Sequence, residues 1–379
     1  MSSTPRRVVV APDSFKGSAT AAEIAGALAE GWFRVFPGDE LVLRPMADGG
    51  EGTLEAIAAA VPGSRLVPIT VDGPDDRPVD TYWGRLPPTA PQPTGIGVVE
   101  LANTSGLGLL NPLRPFHAHT RGFGQAISAA LDAGVSQLVL AIGGSASTDG
   151  GVAALRALGA RFSDAAGTST VDGNAALAEL ASIDLSTLRQ LPPGGAHILT
   201  DVRSPLLGSG GAAHVFGAQK GASPSELPLL EANVAHLLHL VQGVRPDALM
   251  LSELPGAGAA GGTGFGLSLW GAIGDSGAAT VAQLIGLPEA VGAADLVITG
   301  EGRFDEQTGE GKVVDRVRRI ADEQGVPVML VAGLIQAQTD AFAASTSLSE
   351  LAGSPDAAYA DPLPWARLAG ENLARQFLR

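Results

Sequence analysis

Short apolar runs that end abruptly in glycine- and aspartate-rich turns recur along this chain. Arg6–Ala11 carries consecutive apolar positions from Val8 on, the pattern of a strand buried on both faces of a parallel sheet. A polar turn, Pro12–Ser18, follows. Thr20 and Glu23 then form a capping-box pattern, and Ile24, Leu28 and Val35 fall near one face of a helix. Leu41–Leu43 predicts a second strand, running through Met46–Gly52 into a helix with Leu54 and Ile57. This alternation of strand, turn and helix predicts a parallel, doubly wound α/β sheet.

The texture changes near Val61–Gly63. Pro and Gly become frequent from Pro74 to Thr94, which predicts irregular loops between short strands. Val98–Leu101 and Leu138–Ile142 predict strands, separated by a helix carrying Phe123, Ile127 and Leu131. His197–Thr200 is a further strand, Leu227–Val244 an amphipathic helix, and Gly256–Gly266 a glycine-dense loop. The first texture returns near Gly292, with strands at Asp295–Thr299 and Val326–Val331 and helices at Val313–Ile320 and Trp365–Leu378. The Ala/Ser/Pro stretch over 342–362 reads as a surface segment. The simplest organisation has residues 1–63 and 292–379 as one discontinuous α/β domain, interrupted by a second, inserted α/β domain over 64–291, with the active site in the cleft between them.

The apolar start meets Pro12 and Asp13 too soon for a signal segment, and no apolar stretch approaches the ~18 residues of a membrane helix. These features, with no cysteine for disulfides or thiolate chemistry, predict a cytoplasmic protein. Against 24 basic residues stand 39 acidic ones, a net charge of −15. That surface repels nucleic-acid backbones and anionic lipid, so neither nucleic acid nor membrane is an expected partner.

The candidate chemistry lies where strands stop: Asp13–Ser18, Asp48–Gly52, Gly143–Gly151, Asp201 and Gly300–Asp305. In open α/β sheets ligands bind beyond the carboxyl ends of strands, which predicts that these loops converge. Their content suits phosphoryl transfer, a reaction that needs positioning and charge neutralisation more than covalent chemistry. Glycines let backbone amides approach phosphate oxygens, and carboxylates suit magnesium, which takes few protein ligands. Lys16 would offset developing charge and Arg303 would clamp a carboxylate. A single Asp after a strand is commonly a turn former or cap; the repetition is what argues for function. His117 and His119 read as structural or surface residues. Gly256–Gly261 matches the dinucleotide pattern G-x-G-x-x-G, but Pro255 and the glycines that follow spoil the strand–turn–helix context. Gly311-Lys312 ends like a P-loop, yet Glu306 and Val313 stand where Gly and Ser/Thr are needed.

Several longer segments, in order, carry a resemblance. They are Ala11–Ser18, Pro45–Thr53, Thr104–Leu107, Ile142–Ser145, Asp149–Gly151, Val215–Gly217 with Gln219–Ala222, Pro255–Gly262 and Ile298–Arg303. Together they resemble the bacterial glycerate kinase family that includes the glycerate 2-kinases, almost end to end. The resemblance implies a Rossmann-like domain interrupted by a second α/β domain, with ATP, magnesium and D-glycerate as ligands. It favours 2-phosphoglycerate over 3-phosphoglycerate as product, which the residues themselves leave open. Ser147-Thr148, Ser204 and Ala218 depart from the family's usual Thr-Asn, Asn and Pro without removing a charged candidate.

On this reading Lys16, Asp13 and Asp201 are catalytic, and Ser14, Arg303 and Lys220 bind substrate. Gly143, Gly144, Ser145, Gly258, Gly261, Gly262 and Glu301 bind phosphate or nucleotide, and Asp48, Glu51 and Asp149 bind magnesium. A monomer or homodimer is expected. The competing readings are an NAD-dependent oxidoreductase using Gly256–Gly261 and a non-catalytic protein that binds sugar acids.

Overall fold

The structure is a computed structural model that describes residues 5–305 and 312–377 of the chain. It divides into two compact units. The first takes the described residues of Met1–Asp48, Glu55–Pro62 and Ser276–Arg379, and the second takes Gly49–Leu54 and Gly63–Asp275. Glu306 and Gly311, singled out in the P-loop comparison, lie outside the described residues.

The first unit is built on a five-stranded sheet, ordered Ala344–Ser347, Val328–Ile335, Leu296–Phe304, Arg7–Pro12 and Glu40–Leu43. Every pairing is parallel. The consecutive apolar run of the first strand is explained by its central place, since Val8 to Ala11 have no exposed surface. Helix Ala21–Val35 begins at the predicted capping box: Thr20 Oγ1 accepts from Glu23 N at 3.2 Å, and Thr20 N donates to Glu23 Oε2 at 2.9 Å. It packs against helix Pro362–Gln376 through two glycines. A Cβ on Gly31 would stand 1.9 Å from Arg367 O, and one on Gly370 2.2 Å from Leu28 O.

Two expectations are corrected here. The 342–362 stretch is not a plain surface segment. It supplies strand Ala344–Ser347 and helices Leu348–Ala352 and Pro355–Ala360, with Leu348 and Ala358 buried. Small Ala and Ser side chains pack closely without leaving a strong apolar period. Gly300–Asp305 is likewise no loop up to Phe304, because strand Leu296–Phe304 continues through it beside Val328–Ile335.

The second unit holds a six-stranded sheet, ordered Ile273–Asp275, Ala196–Leu199, Gln137–Ala141, Ile96–Glu100, Pro78–Arg85 and Arg65–Asp72. The first four are mutually parallel and the last two antiparallel. The Pro-rich segment read as irregular is thus partly a regular hairpin, Arg65–Asp72 with Pro78–Arg85. Pro68 is tolerated because its strand is the outermost. Phe123, Ile127, Leu138, Leu140 and Phe265 form the centre of this unit's core. Among the described residues no helix is long and apolar enough to cross a membrane.

Candidate active site

In the first unit, parallel pairing sets two acids side by side. Pro12 aligns with Gly300, and Asp13 N donates to Gly300 O at 2.8 Å, so Asp13, just past the end of its strand, lies beside Glu301 of the adjacent strand, which runs on to Phe304. Met46 N donates to Pro12 O at 2.9 Å, which brings the Ala47-Asp48 end of the next segment alongside. Between them the chain turns sharply at Phe15–Ala19, where Phe15 O accepts from Ser18 N and Ala19 N and Gly17 has φ of +79°. That turn holds Lys16, whose Nζ lies 3.4 Å from Asp48 Oδ2. Ser14 serves Asp13 through its backbone, N to Oδ1 at 2.7 Å.

The electrostatics follow from this crowding. Loss of water and the neighbouring Asp48 push the Asp13 carboxyl up to about 7, with Lys16 pulling the other way. Lys16 is held above its ordinary range, first by Asp48 and then by Asp13. Its side chain is nonetheless 66% exposed, free to meet an incoming anion. Arg303 is similarly exposed and holds Asp305 at 3.1 Å. Asp13, Ser14, Lys16, Asp48 and Arg303 border a cavity of about 500 Å³.

Among the described residues no three His, Asp or Glu side chains gather into a ready metal cluster. A mutually repelling Asp13, Asp48 and Glu301 set still fits magnesium chemistry, since that ion takes one or two carboxylates and completes its shell from phosphates and water. Glu51 is exposed, in the second unit.

Two of the expected loops gather in the second unit instead, together with the glycine-dense segment. Gly143 N donates to Gly49 O at 3.0 Å, and Gly150 N donates to Gly261 O at 3.0 Å, so Gly49–Gly52, Gly143–Gly151 and Gly256–Gly262 form one packed layer. Asp201 follows strand Ala196–Leu199 next to it: a Cβ on Gly256 would lie 3.0 Å from Thr200 Cγ2.

The expectation that these glycines cradle phosphate meets a different geometry. Gly143 N is spent on Gly49 O, Gly258 N on Ser204 O and Gly262 N on Gly258 O. The Gly144 carbonyl accepts from Leu107 N, and the Ser145 hydroxyl lies 3.3 Å from Ala260 O. A Cβ on Gly258 would stand 2.1 Å from Pro205 O, and one on Gly261 2.0 Å from Ser147 O. Glycine is required at both because backbones touch. Nor does the segment follow a strand: it comes after helix Ala248–Ser252, so the dinucleotide-binding context is absent.

Asp149 and Lys220 also turn inward. Asp149 has no exposed surface; Oδ2 accepts from Thr120 N at 3.0 Å and Thr120 Oγ1 at 2.8 Å, and Oδ1 from Gly151 N at 3.1 Å. A carboxylate so fully engaged organises its own loop, in contrast to the expected magnesium ligand. Lys220 is 2% exposed and its Nζ donates to Ser147 O, so it grips the loop backbone and is closed to an incoming carboxylate. Burial pushes its ammonium down to about 7, against the pull of Asp149. Between that value and the ordinary 10.5 the unfolded chain holds the extra proton, so stability should rise with pH across this window. Thermal melts from pH 7 to 9 should show that rise in the natural protein and a flattened profile in Lys220→Met.

Several partners carry no sequence signal of their own. Glu100, buried at the end of strand Ile96–Glu100, accepts from Gly52 N at 3.0 Å and Leu54 N at 2.9 Å and so fixes the Gly49–Leu54 turn. Asn174 Nδ2 donates to Thr148 O at 2.8 Å. An acid ending a wholly apolar strand is the one hint that pointed to Glu100. Nothing local marks Asn174, or Tyr359 at the cavity of the first unit.

Comparison with known proteins identifies relatives along nearly the whole chain. The profile of the Glycerate kinase family matches residues 8–378. A glycerate kinase of Bacillus subtilis (strain 168) is 40% identical over 342 residues, covering 88% of this chain and 87% of its own length. The glycerate 2-kinase of Escherichia coli (strain K12) is 38% identical over 334 residues, covering 86% and 85%. A crystal structure of a candidate glycerate kinase 2 from Salmonella typhimurium LT2 superposes with a TM-score of 0.83 at 36% identity, over 99% of both chains. With the strand-end acids and Lys16 in place, and relatives matched nearly end to end, the chain belongs to the glycerate kinase family.

Proposed function

We propose that this protein transfers the γ-phosphoryl group of ATP to the 2-hydroxyl of D-glycerate, releasing ADP and 2-phosphoglycerate. The observation that carries the reading is the Asp13–Lys16–Asp48 cluster at the strand ends, with the Asp13 carboxyl pushed up to about 7. A base of that strength suits removal of a proton from an alcohol near neutral pH. The glycerate oxygen forms the new bond to phosphorus as the bond to the bridging β–γ oxygen breaks. The alcohol proton passes to ionised Asp13. Lys16, largely exposed beside Asp48, meets the charge that develops on the transferring group. The Arg303 fork suits the substrate carboxylate. Asp48 and Glu301 would hold magnesium, which when bound neutralises the β- and γ-phosphate oxygens. ATP is a cytoplasmic metabolite, and we place the reaction there. The Escherichia coli relative, named as a glycerate 2-kinase, supports the 2-position.

Phosphorus NMR of the protein with ATP, magnesium and D-glycerate tests the reading. A new phosphomonoester doublet is the expected result, and a triplet would move the product to 3-phosphoglycerate. Intact ATP alongside folded protein would remove glycerate as substrate. Lys16→Ala should lower kcat by about a hundredfold or more while the melting curve is kept, because the side chain is largely exposed. Near-normal turnover would take Lys16 out of the mechanism.

A further inference from the structure

The cavity of the first unit is too large for the acceptor alone. Its volume of about 500 Å³ lies in the range that holds drug-sized ligands, and a small hydroxy acid would leave most of it empty. Its lining is also divided in character. Lys16 and Asp48 are charged, whereas Leu334, Pro355, Ala358 and Tyr359 offer apolar surface. Tyr359 is 61% exposed, an unusual surplus for a large ring. Its hydroxyl lies where a side chain at position 17 would begin: a Cβ on Gly17 would stand 2.4 Å from Tyr359 Oη. The tyrosine hydroxyl thus lies against the Lys16 turn at Gly17.

The glycine loops of the second unit, the other place for a nucleotide, offer little. The amides of Gly143, Gly150, Gly258 and Gly262 are already engaged by backbone carbonyls.

We propose that this cavity is the nucleotide site of the kinase reaction, with the nucleoside against helix Pro355–Ala360 and Tyr359 as its specificity-determining contact. The inference rests on the ATP-dependent reading above. An aromatic face suits a purine, and the Lys16 end suits phosphates. Asp356, also at the cavity, supplies an acceptor for ribose hydroxyls.

The test is titration of the protein, with magnesium, by fluorescent methylanthraniloyl-ADP, together with steady-state kinetics. Tyr359→Ala should weaken the analogue about tenfold and raise KM for ATP by a similar factor, the loss expected for a stacked base. KM for D-glycerate and kcat should hold. Tyr359→Phe should bind nearly as the natural protein does. Tyr359→Leu, apolar and of similar reach, should lose affinity as the alanine variant does, and covers the case in which alanine unsettles the helix. Unchanged affinity in both Tyr359→Ala and Tyr359→Leu, or a rise confined to KM for glycerate, would overturn the assignment while the kinase stands. Failure of the natural protein both to bind the analogue and to turn over ATP would sink the kinase reading itself, and this one with it.

Discussion

Asp13→Asn should cost about a thousandfold in kcat and yet raise the melting temperature. The two effects have one cause. The Asp13 carboxyl is withdrawn from water and faces Asp48, which raises it from its ordinary 3.8 to about 7. In the unfolded chain the group ionises near 3.8, so between that pH and about 7 the unfolded state has already lost a proton the folded state retains. Stability present below 3.8 is lost as pH rises through 7. Asparagine is neutral throughout and escapes the loss. At pH 8 the variant should be more stable on the order of 2 kcal/mol, or a few degrees in Tm, with the gap closing as pH falls to about 4. Activity moves the other way, because asparagine accepts no proton. The acid limb of kcat/KM should vanish with the carboxylate. Thermal melts at pH 4 and 8 and a pH profile of kcat/KM read both halves. Retained turnover would transfer the base to Asp201; an unchanged Tm at pH 8 would mean that Asp13 is not held against Asp48.

What the sequence disclosed follows from how physical constraints are distributed along it. A centrally placed parallel strand must be apolar on both faces, so Val8–Ala11 and Leu138–Ala141 declare themselves. The capping box at Thr20 and Glu23 is local chemistry and is equally legible. Asp13 and Asp48 are legible as acids beyond strands, whereas Asp149, read with them from the same repetition, organises its own loop. Hidden are the partners that only folding supplies. Whether Asp149 faces a metal or its own loop depends on Thr120, which lies 29 positions away. Whether Lys220 reaches substrate or Ser147 O depends on a contact spanning 73 positions. The Pro355–Ala360 wall has almost no apolar period, so its place at the cavity leaves no trace in the pattern. Glycine was legible as a requirement and ambiguous in purpose, since a ligand phosphate and a neighbouring backbone both exclude a Cβ.

That ambiguity is open to test at Gly261, where Gly261→Ala should be among the most damaging single-methyl changes in the protein. The residue has φ of +68°, which alanine adopts at a cost of roughly 1 kcal/mol or more. The added Cβ would stand 2.0 Å from Ser147 O, 2.7 Å from Thr148 Cα and 2.9 Å from Lys220 Nζ. Two of those atoms are backbone, pinned in turn by Lys220 and by Asn174 bonding Thr148 O. A pinned backbone cannot yield by the ångström required, so the Gly256–Gly262 segment must lift and break the Gly150 N to Gly261 O bond. Overpacking and strain together predict a loss of roughly 3–5 kcal/mol, read as a Tm drop of about ten degrees or as failure to accumulate folded protein. Gly26→Ala is the control, in helix Ala21–Val35 with nothing within 4 Å of its Cβ; it should be neutral or slightly stabilising. The comparison separates the two purposes of the glycine. A packing glycine lowers Tm whether or not ATP is present. A phosphate-cradling one would leave the ligand-free melt unchanged and raise only KM for ATP, and that result would return the nucleotide to the second unit.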